Sequence, residues 1–307
     1  MCGIVGVTGN DRSVSILIDG LKRLEYRGYD SAGIYVNDEK GHDYLVKRSG
    51  RISNLEAALT PEVKGLAGIG HTRWATHGVP NETNAHPHYS NDERFYLVHN
   101  GVIENYQQLK EEYLKGVEFK SQTDTEVIVQ LVDKFVVDYK MDTKDALLKV
   151  LRLISPDSSY AFALMDREQP DTLFVAKNKS PLLVGLCQGY NMVGSDAMSM
   201  IDETNEFMEI NDHELVIVKP DNVTIEEFDG TEKKRDSFKV DMDPSAADKG
   251  TYPFYMLKEI DEQPAVMRKL VQEYFDSDDQ PQISEKLLQA MAESDHIYII
   301  GAGTSYH

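Results

Sequence analysis

Apolar positions along the chain change rhythm as it proceeds. Residues 2–7 (CGIVGV) form a short apolar run that predicts a buried strand at the N-terminus. A helix follows, because Val14, Leu17, Ile18, Leu21 and Leu24 recur at the spacing of one helical face. Strand-like segments come next at 32–36 (AGIYV), 44–47 (YLVK), 66–70 and 94–99 (RFYLVH), then helices at about 103–115, 125–139 and 143–153. The second of these places Ile128, Leu131, Val132, Phe135 and Val136 on one side. From 159 onward the texture turns to short strands separated by turns: SYAFALMD, DTLFVAK, PLLVGL, YNMVGS, EFMEI, ELVIVK and VTIEEF. Two sheets covered by helices drawn mainly from the first half satisfy this pattern, an α+β layered domain.

The stretch 229–250 is polar and turn-rich, which puts one domain at 2–240, a linker at 241–253 and a second piece at 254–307. That piece predicts helices over 254–274 and 283–293. It closes on DHIYIIGAGTSYH, a predicted strand running into a Gly-rich turn.

Composition narrows the setting. Apolar residues make up 41% and charged residues 27%, as in ordinary globular proteins. The net charge of −20 repels phosphate backbones and anionic lipid headgroups, which argues against nucleic acid and membrane partners. No apolar run approaches the roughly 20 residues that span a bilayer, and the N-terminus does not read as a signal peptide. The two cysteines, Cys2 and Cys187, suggest no disulfide framework, and a reducing, cytoplasmic setting is expected.

Chemistry starts at Met-Cys-Gly-Ile. A small side chain at position two permits removal of the initiator Met, leaving Cys2 with a free α-amine. That amine titrates at about 7.7–8.0, close to the roughly 8.5 of a thiol, so one residue would carry a nucleophile and its base. A buried free cysteine is the bland reading of the same four residues.

Five further segments stand in order after it: LKRLEYRGYDSAG (21–33), HTRWATHG (71–78), NAHPH (84–88), HNGVIEN (99–105) and SQTDTEVI (121–128). Together with MCGIVG they closely resemble the glutaminase domain of class II, or N-terminal-nucleophile, amidotransferases. Within that group the wording of EYRGYDSAG and HTRWATHG resembles most the glutamine–fructose-6-phosphate aminotransferases. The resemblance covers most of 2–240 and resumes over 251–307, where GAGTS looks like the first phosphosugar-binding turn of a sugar-isomerase domain.

This resemblance implies a four-layer α/β/β/α N-terminal-nucleophile hydrolase sandwich followed by a truncated α/β sugar-isomerase segment. It implies hydrolysis of L-glutamine to glutamate and ammonia through a Cys2 thioester. In the intact enzyme the ammonia would convert fructose 6-phosphate to glucosamine 6-phosphate, in a homodimer and without a cofactor.

Each element has a physical rationale. Thiolate attack on the amide creates an oxyanion, and the Asn100 side chain with the Gly101 backbone N–H would stabilise it. Asn-Gly is also a hairpin signal, although the helical VIENYQQLK after it argues against a returning strand. Arg73 suits the α-carboxylate of glutamine through its planar fork, and Asp124 suits the α-ammonium. Thr123-Asp-Thr-Glu126 equally has the form of a helix capping box.

Further roles rest on the resemblance alone. Trp74 would lie on a loop closing over glutamine, with Thr76 and His77 as contacts. Arg27, grouped with the glutamine-binding residues, stands with Gly28 and Tyr29 in a loop that supports the nucleophile. Thr304 and Ser305 would contact sugar phosphate. His71, His77, His86, His88 and His99 show neither a His-Glu-x-x-His pattern nor paired Cys ligands, so no metal site is read.

Overall fold

β1 (Gly3–Thr8) is buried along its whole length because it runs through the interior of a sheet, with antiparallel neighbours on both sides. In this computed structural model, which describes residues 2–38, 40–75, 78–241, 250–276 and 280–301, the chain divides into two compact units, 1–248 and 249–307.

The first half of the first unit continues with α1 (Ser13–Arg23), β2 (Ser31–Asn37), β3 (Asp43–Ser49), α2 (Ile52–Ala57), β4 (Ala67–Arg73), β5 (His88–Tyr89) and β6 (Phe95–Val102). Three helices follow: α3 (Tyr106–Tyr113), α4 (Asp124–Tyr139) and α5 (Thr143–Leu153). The chain then forms β7 (Ser159–Asp166), β8 (Gln169–Asn178), β9 (Leu183–Leu186), β10 (Asn191–Gly194), β11 (Glu206–Glu209), β12 (Glu214–Val218), β13 (Val223–Glu227), β14 (Glu232–Lys233) and β15 (Phe238–Lys239).

One sheet has the order β15-β11-β9-β10-β1-β4-β2-β3, the other β14-β13-β12-β8-β7-β6-β5. The sheets face each other across Ile4, Tyr35, Ile69, Val98, Ala163, Val175 and Val216. The outer face of the first sheet packs on Leu17, Leu21 and Leu24 of the α1 region and on Ile52 and Leu55 of α2. The outer face of the second packs on Leu131, Val132 and Phe135 of α4 and on Leu147 and Leu151 of α5. Four layers result, α/β/β/α, each interface apolar and buried.

The predicted strand at 94–99 runs on to Val102, so Asn100 and Gly101 are strand residues, opposite Ala161 and Tyr160 of β7, and not a hairpin turn. Gly101 has φ +124°, and a Cβ there would lie 1.9 Å from the Ser159 carbonyl oxygen. Only glycine lets the strand end in this way.

The polar stretch after 229 also contributes two edge strands. Phe238 lies against Phe207, and Arg235 grips Glu214 at 2.6 Å. In the second unit α6 (Tyr255–Tyr274) and α7 (Glu285–Glu293) form where periodicity places them, with Ser284 capping α7. The strand expected over 295–300 does not form. Ile299 and Ile300 are more than 90% exposed, and among the described residues of this unit no strand pairs with them. An apolar run without a partner cannot satisfy its backbone groups as a strand. The Gly-rich turn after it, with Thr304 and Ser305, lies outside the described residues.

Candidate active site

Cys2 precedes β1, and the antiparallel register of β1 with β4, Gly3 opposite Thr72, brings it beside Arg73 and Trp74. Its Sγ accepts from the Trp74 backbone N–H at 3.3 Å and lies 3.5 Å from the Trp74 carbonyl oxygen. A Cβ on Gly28 would lie 2.7 Å from the Arg73 carbonyl carbon and 2.8 Å from the Trp74 nitrogen. The 27–29 loop therefore braces the very peptide that meets the thiol, and Thr72 Oγ1 donates to the Gly28 carbonyl. Burial pushes the Cys2 thiol up, opposed by the Trp74 amide and by the positive charges of Arg73 and Arg27.

One pocket is lined by Cys2, Arg73, Trp74, His86, His99, Gly101, Thr123, Asp124 and Thr125. Five parts of the chain meet there: the segment before β1, the end of β4, the loop before β5, the end of β6 and the first turn of α4. A larger pocket lined by Lys47, Arg48, Tyr89 and Lys120 contains neither Cys2, Arg73, Asn100 nor Asp124.

Asn100 Nδ2 donates to the Cys2 carbonyl oxygen at 3.2 Å and to Ser195 Oγ at 3.1 Å, so the amide is tied to the residue that carries the thiol. Ser195 Oγ also accepts from the Ile4 N–H at 2.8 Å. Arg73 is buried, its guanidinium 3.4 Å from the carbonyl oxygens of Gly78 and Val79. Asp124 Oδ2 accepts from the Ile103 N–H at 2.8 Å, and its other oxygen accepts no hydrogen bond among the described residues.

The capping box does not close in its usual form. Thr123 is the N-cap of α4, but its hydroxyl meets His88 Nε2 and Ser121 Oγ, each at 3.0 Å. Glu126 bonds the loop amides of Lys120 and Ser121 instead of the N-cap amide.

Trp74 is 43% exposed and stands edge-on to Tyr29, 5.5 Å between ring centres, so it is not a core residue. The Arg27 guanidinium reaches Asp196 at 3.1 Å and is not among the pocket's lining residues. Thr76 and His77 lie outside the described residues.

Two residues of this network were not singled out from the sequence. Ser195 follows β10 and carries no periodic signal. Asp30 accepts from the Ala75 N–H at 2.8 Å and so holds the segment after Trp74; it sits inside the EYRGYDSAG wording but has no local pattern of its own.

His71, His86, His88 and His99 form a buried cluster. His71 and His86 stack at 4.1 Å, and His86 meets His88 at 4.6 Å between ring centres. Burial pushes all four imidazoles below their ordinary range, His71 down to about 3. Among the described residues no group of three or more His, Cys, Asp or Glu is arranged to hold a metal ion.

A four-layer sandwich of two antiparallel sheets with its N-terminal strand inside one of them is the fold of the N-terminal-nucleophile amidotransferases. A family model described as glutamine amidotransferase domain matches residues 62–222. Among solved structures, glutamine phosphoribosylpyrophosphate amidotransferase from B. subtilis is similar with TM-score 0.64 and 26% identity, over 76% of this chain and 50% of that one.

The chain belongs to the glutamine amidotransferase domain family. Among curated relatives, glutamine–fructose-6-phosphate aminotransferase [isomerizing] of Lactiplantibacillus plantarum is 61% identical over 100% of this chain and 51% of its own length. That of Streptococcus pneumoniae R6 is 59% identical over 100% of this chain and 50% of its own. The chain thus spans about half the length of the curated relatives it matches. Among the described residues no helix is long and apolar enough to cross a membrane.

Proposed function

We propose that Cys2 is the nucleophile of a glutaminase and that removal of Met1 frees the α-amine that serves as its base. The amine takes the thiol proton, and the thiolate attacks the side-chain amide carbon of L-glutamine. The Asn100 Nδ2–H that rests on the Cys2 carbonyl turns to the oxyanion, which the Gly101 N–H also stabilises. The C–N bond then breaks, ammonia leaves with the proton held by the amine, and a γ-glutamyl thioester remains. Water, deprotonated by the same amine, attacks that thioester, and glutamate departs as the thiol is restored.

Arg73 pairs with the α-carboxylate and Asp124 with the α-ammonium, while Trp74 borders the bound amino acid. The family resemblance adds Thr76 and His77 as contacts, and Arg27, held by Asp196, supports the loop beside the nucleophile. The observation that carries this reading is the convergence of thiol, guanidinium and carboxylate on one pocket. An amide-bearing amino acid needs those three groups together, and a generic amide does not.

In a chain of the relatives' length, the ammonia would aminate fructose 6-phosphate to glucosamine 6-phosphate in a cytoplasmic homodimer. Thr304 and Ser305 would lie at the phosphate, and 241–253 would join the two domains. The shared name of the curated relatives supports the reaction with fructose 6-phosphate, and the homodimer and cytoplasmic setting are carried by the sequence reading alone.

The test is glutamate release from glutamine by the 307-residue chain, together with labelling by a glutamine-like electrophile. Cys2→Ala should abolish both, and Cys187→Ala should leave both nearly intact. Labelling that survives Cys2→Ala overturns the assignment.

A further inference from the structure

The Asn100 amide is held at both ends, and the hold on its oxygen has a direction. His71 Nε2 lies 2.9 Å from Asn100 Oδ1 and 3.0 Å from the His99 carbonyl oxygen. A carbonyl can only accept, so His71 Nε2 must carry the ring proton. A nitrogen that donates to the His99 carbonyl cannot accept from an amide NH2. The Asn100 oxygen therefore has to face His71, and its NH2 has to face the opposite way. On that side it meets the Cys2 carbonyl and Ser195 Oγ, both able to accept. Two independent constraints, one on each end, select the same orientation of the amide.

We infer that His71 is a positioning residue for the oxyanion site: its Nε2–H, shared between Asn100 Oδ1 and the His99 carbonyl, locks the Asn100 N–H groups toward Cys2, with Ser195 as the second hold. The inference rests on the reading that Asn100 is an oxyanion donor. Without the imidazole N–H, nothing on the His71 side distinguishes the amide's two ends. Turned over, Asn100 would present a carbonyl oxygen to a developing negative charge. The loss falls on the chemical step, because Asn100 is not assigned to the amino-acid head group. His71 is fully buried and its Nδ1 has no hydrogen-bond partner among the described residues, so the ring has little means of stabilising a second proton. The lock is thus independent of pH over the range in which glutamine hydrolysis is assayed.

The experiment is a double-mutant cycle in the 307-residue chain, reading kcat and KM for glutamine hydrolysis and Tm for each variant. Asn100→Ala should lose roughly 10²–10³ in kcat, the usual cost of an oxyanion donor. His71→Leu should lose roughly 10–100-fold in kcat with KM within about 3-fold, as expected when a buried acceptor is stripped of its donor. His71→Gln, which restores an N–H, should recover part of that loss. His71→Leu added to Asn100→Ala should cost no more than about 3-fold further, since the lock acts only through Asn100.

Losses that multiply in the double variant, or a His71→Leu enzyme with unchanged kcat, overturn the inference. An Asn100→Ala enzyme with full kcat would instead sink the oxyanion reading, and the lock would fall with it. Should His71→Leu fail to fold, Ser195→Ala enters the same cycle and must be non-additive with Asn100→Ala; additive loss counts against the clamp. Nitrogen-15 shifts of His71 in the unsubstituted chain provide a readout apart from activity. They should report the neutral Nε2–H tautomer, and an Nδ1–H tautomer refutes the lock.

Discussion

Acid should destabilise the amidotransferase unit through its buried histidines, by an amount that their burial sets. His71, His86, His88 and His99 are each 5% exposed or less, and burial pushes every one of them below the ordinary imidazole range. In the unfolded chain each titrates near ~6.5. The folded pKa is the lower one, so the unfolded state binds more protons between the two values. Stability from these groups is present above about pH 6.5 and is lost as pH falls below it.

From about pH 6.5 to 5.5, a ring neutral when folded and free to titrate when unfolded costs about 1 kcal/mol, and the three that burial drives furthest down, His71, His86 and His88, cost about 3. Asp133 works in the opposite sense. Burial and neighbouring Asp92 push its carboxyl up to about 7, so the folded state gains that proton more readily than the unfolded chain. Being only partly buried, it returns at most about 1 kcal/mol over the same interval. The net loss of about 2 kcal/mol is a sizeable share of the ~5–15 kcal/mol that holds a typical domain. It corresponds to a Tm lower by roughly 4–8 °C for a unit of this size. Scanning calorimetry at about pH 6.5 and 5.5, at one ionic strength, reads it directly, and Asp133→Asn should deepen the drop. A Tm that moves by less than about 2 °C would mean that the imidazoles ionise in the folded protein, and the burial argument would be refuted.

Two further outcomes test the chemistry. A chain with an N-terminal extension that prevents loss of Met1 should keep its Tm yet release glutamate at least ~100-fold more slowly, the scale of a missing general base; ordinary turnover would place the base elsewhere. Asp124→Asn should raise the Kd for glutamine by roughly 10–100-fold, as expected for loss of a charge-assisted bond. Its Tm should fall by no more than a few degrees, since the Ile103 N–H keeps an acceptor and the helix loses only ~0.3–1 kcal/mol of dipole complementarity. Unchanged affinity beside a large fall in Tm would make Asp124 a capping residue and nothing more.

What the sequence made legible was local. The stripe of Leu17, Leu21 and Leu24 and that of Leu131, Val132 and Phe135 both became buried helix faces, because a period near 3.6 has one good solution beside a sheet. Pairing across long separations was not legible. Asn100-Gly101 has the local chemistry of a hairpin turn. Its register with Ala161 and Tyr160, some sixty residues on, makes it strand. Thr123 and Glu126 spell a capping box, yet the Thr123 hydroxyl goes to His88, 35 residues away. The apolar run before Gly301 has strand composition but no strand beside it among the described residues of its unit. Within the pocket, charge and nucleophilicity made Cys2, Arg73 and Asp124 candidates, and the ordered family motifs, not the residues alone, decided against a buried cysteine and a helix cap. Ser195 and the role of His71 were not, since a hydroxyl and a neutral imidazole declare themselves only through the partners that the fold supplies.

The histidine cluster also bears on which group can act as base. Four imidazoles lie in or behind the pocket, and a cysteine–histidine pair would be the first thought for activating a thiol. Their bonding argues otherwise. His71 gives its Nε2 proton to two acceptors. His86 Nδ1 accepts from the His99 backbone N–H at 3.3 Å. His88 Nε2 is engaged by Thr123 and His99 Nδ1 by Thr125, at 3.0 and 2.9 Å. Burial lowers the proton affinity of all four, so even a nitrogen left unengaged is a weak base for a thiol that burial has pushed up. The two shifts widen the gap between donor and acceptor, and proton transfer from Cys2 to any of these rings runs uphill. An α-amine, ordinarily at about 8, is the stronger base and narrows that gap. The burial that shapes the core thus turns the histidines into a neutral frame and leaves the proposed proton transfer to the nucleophile's own backbone nitrogen.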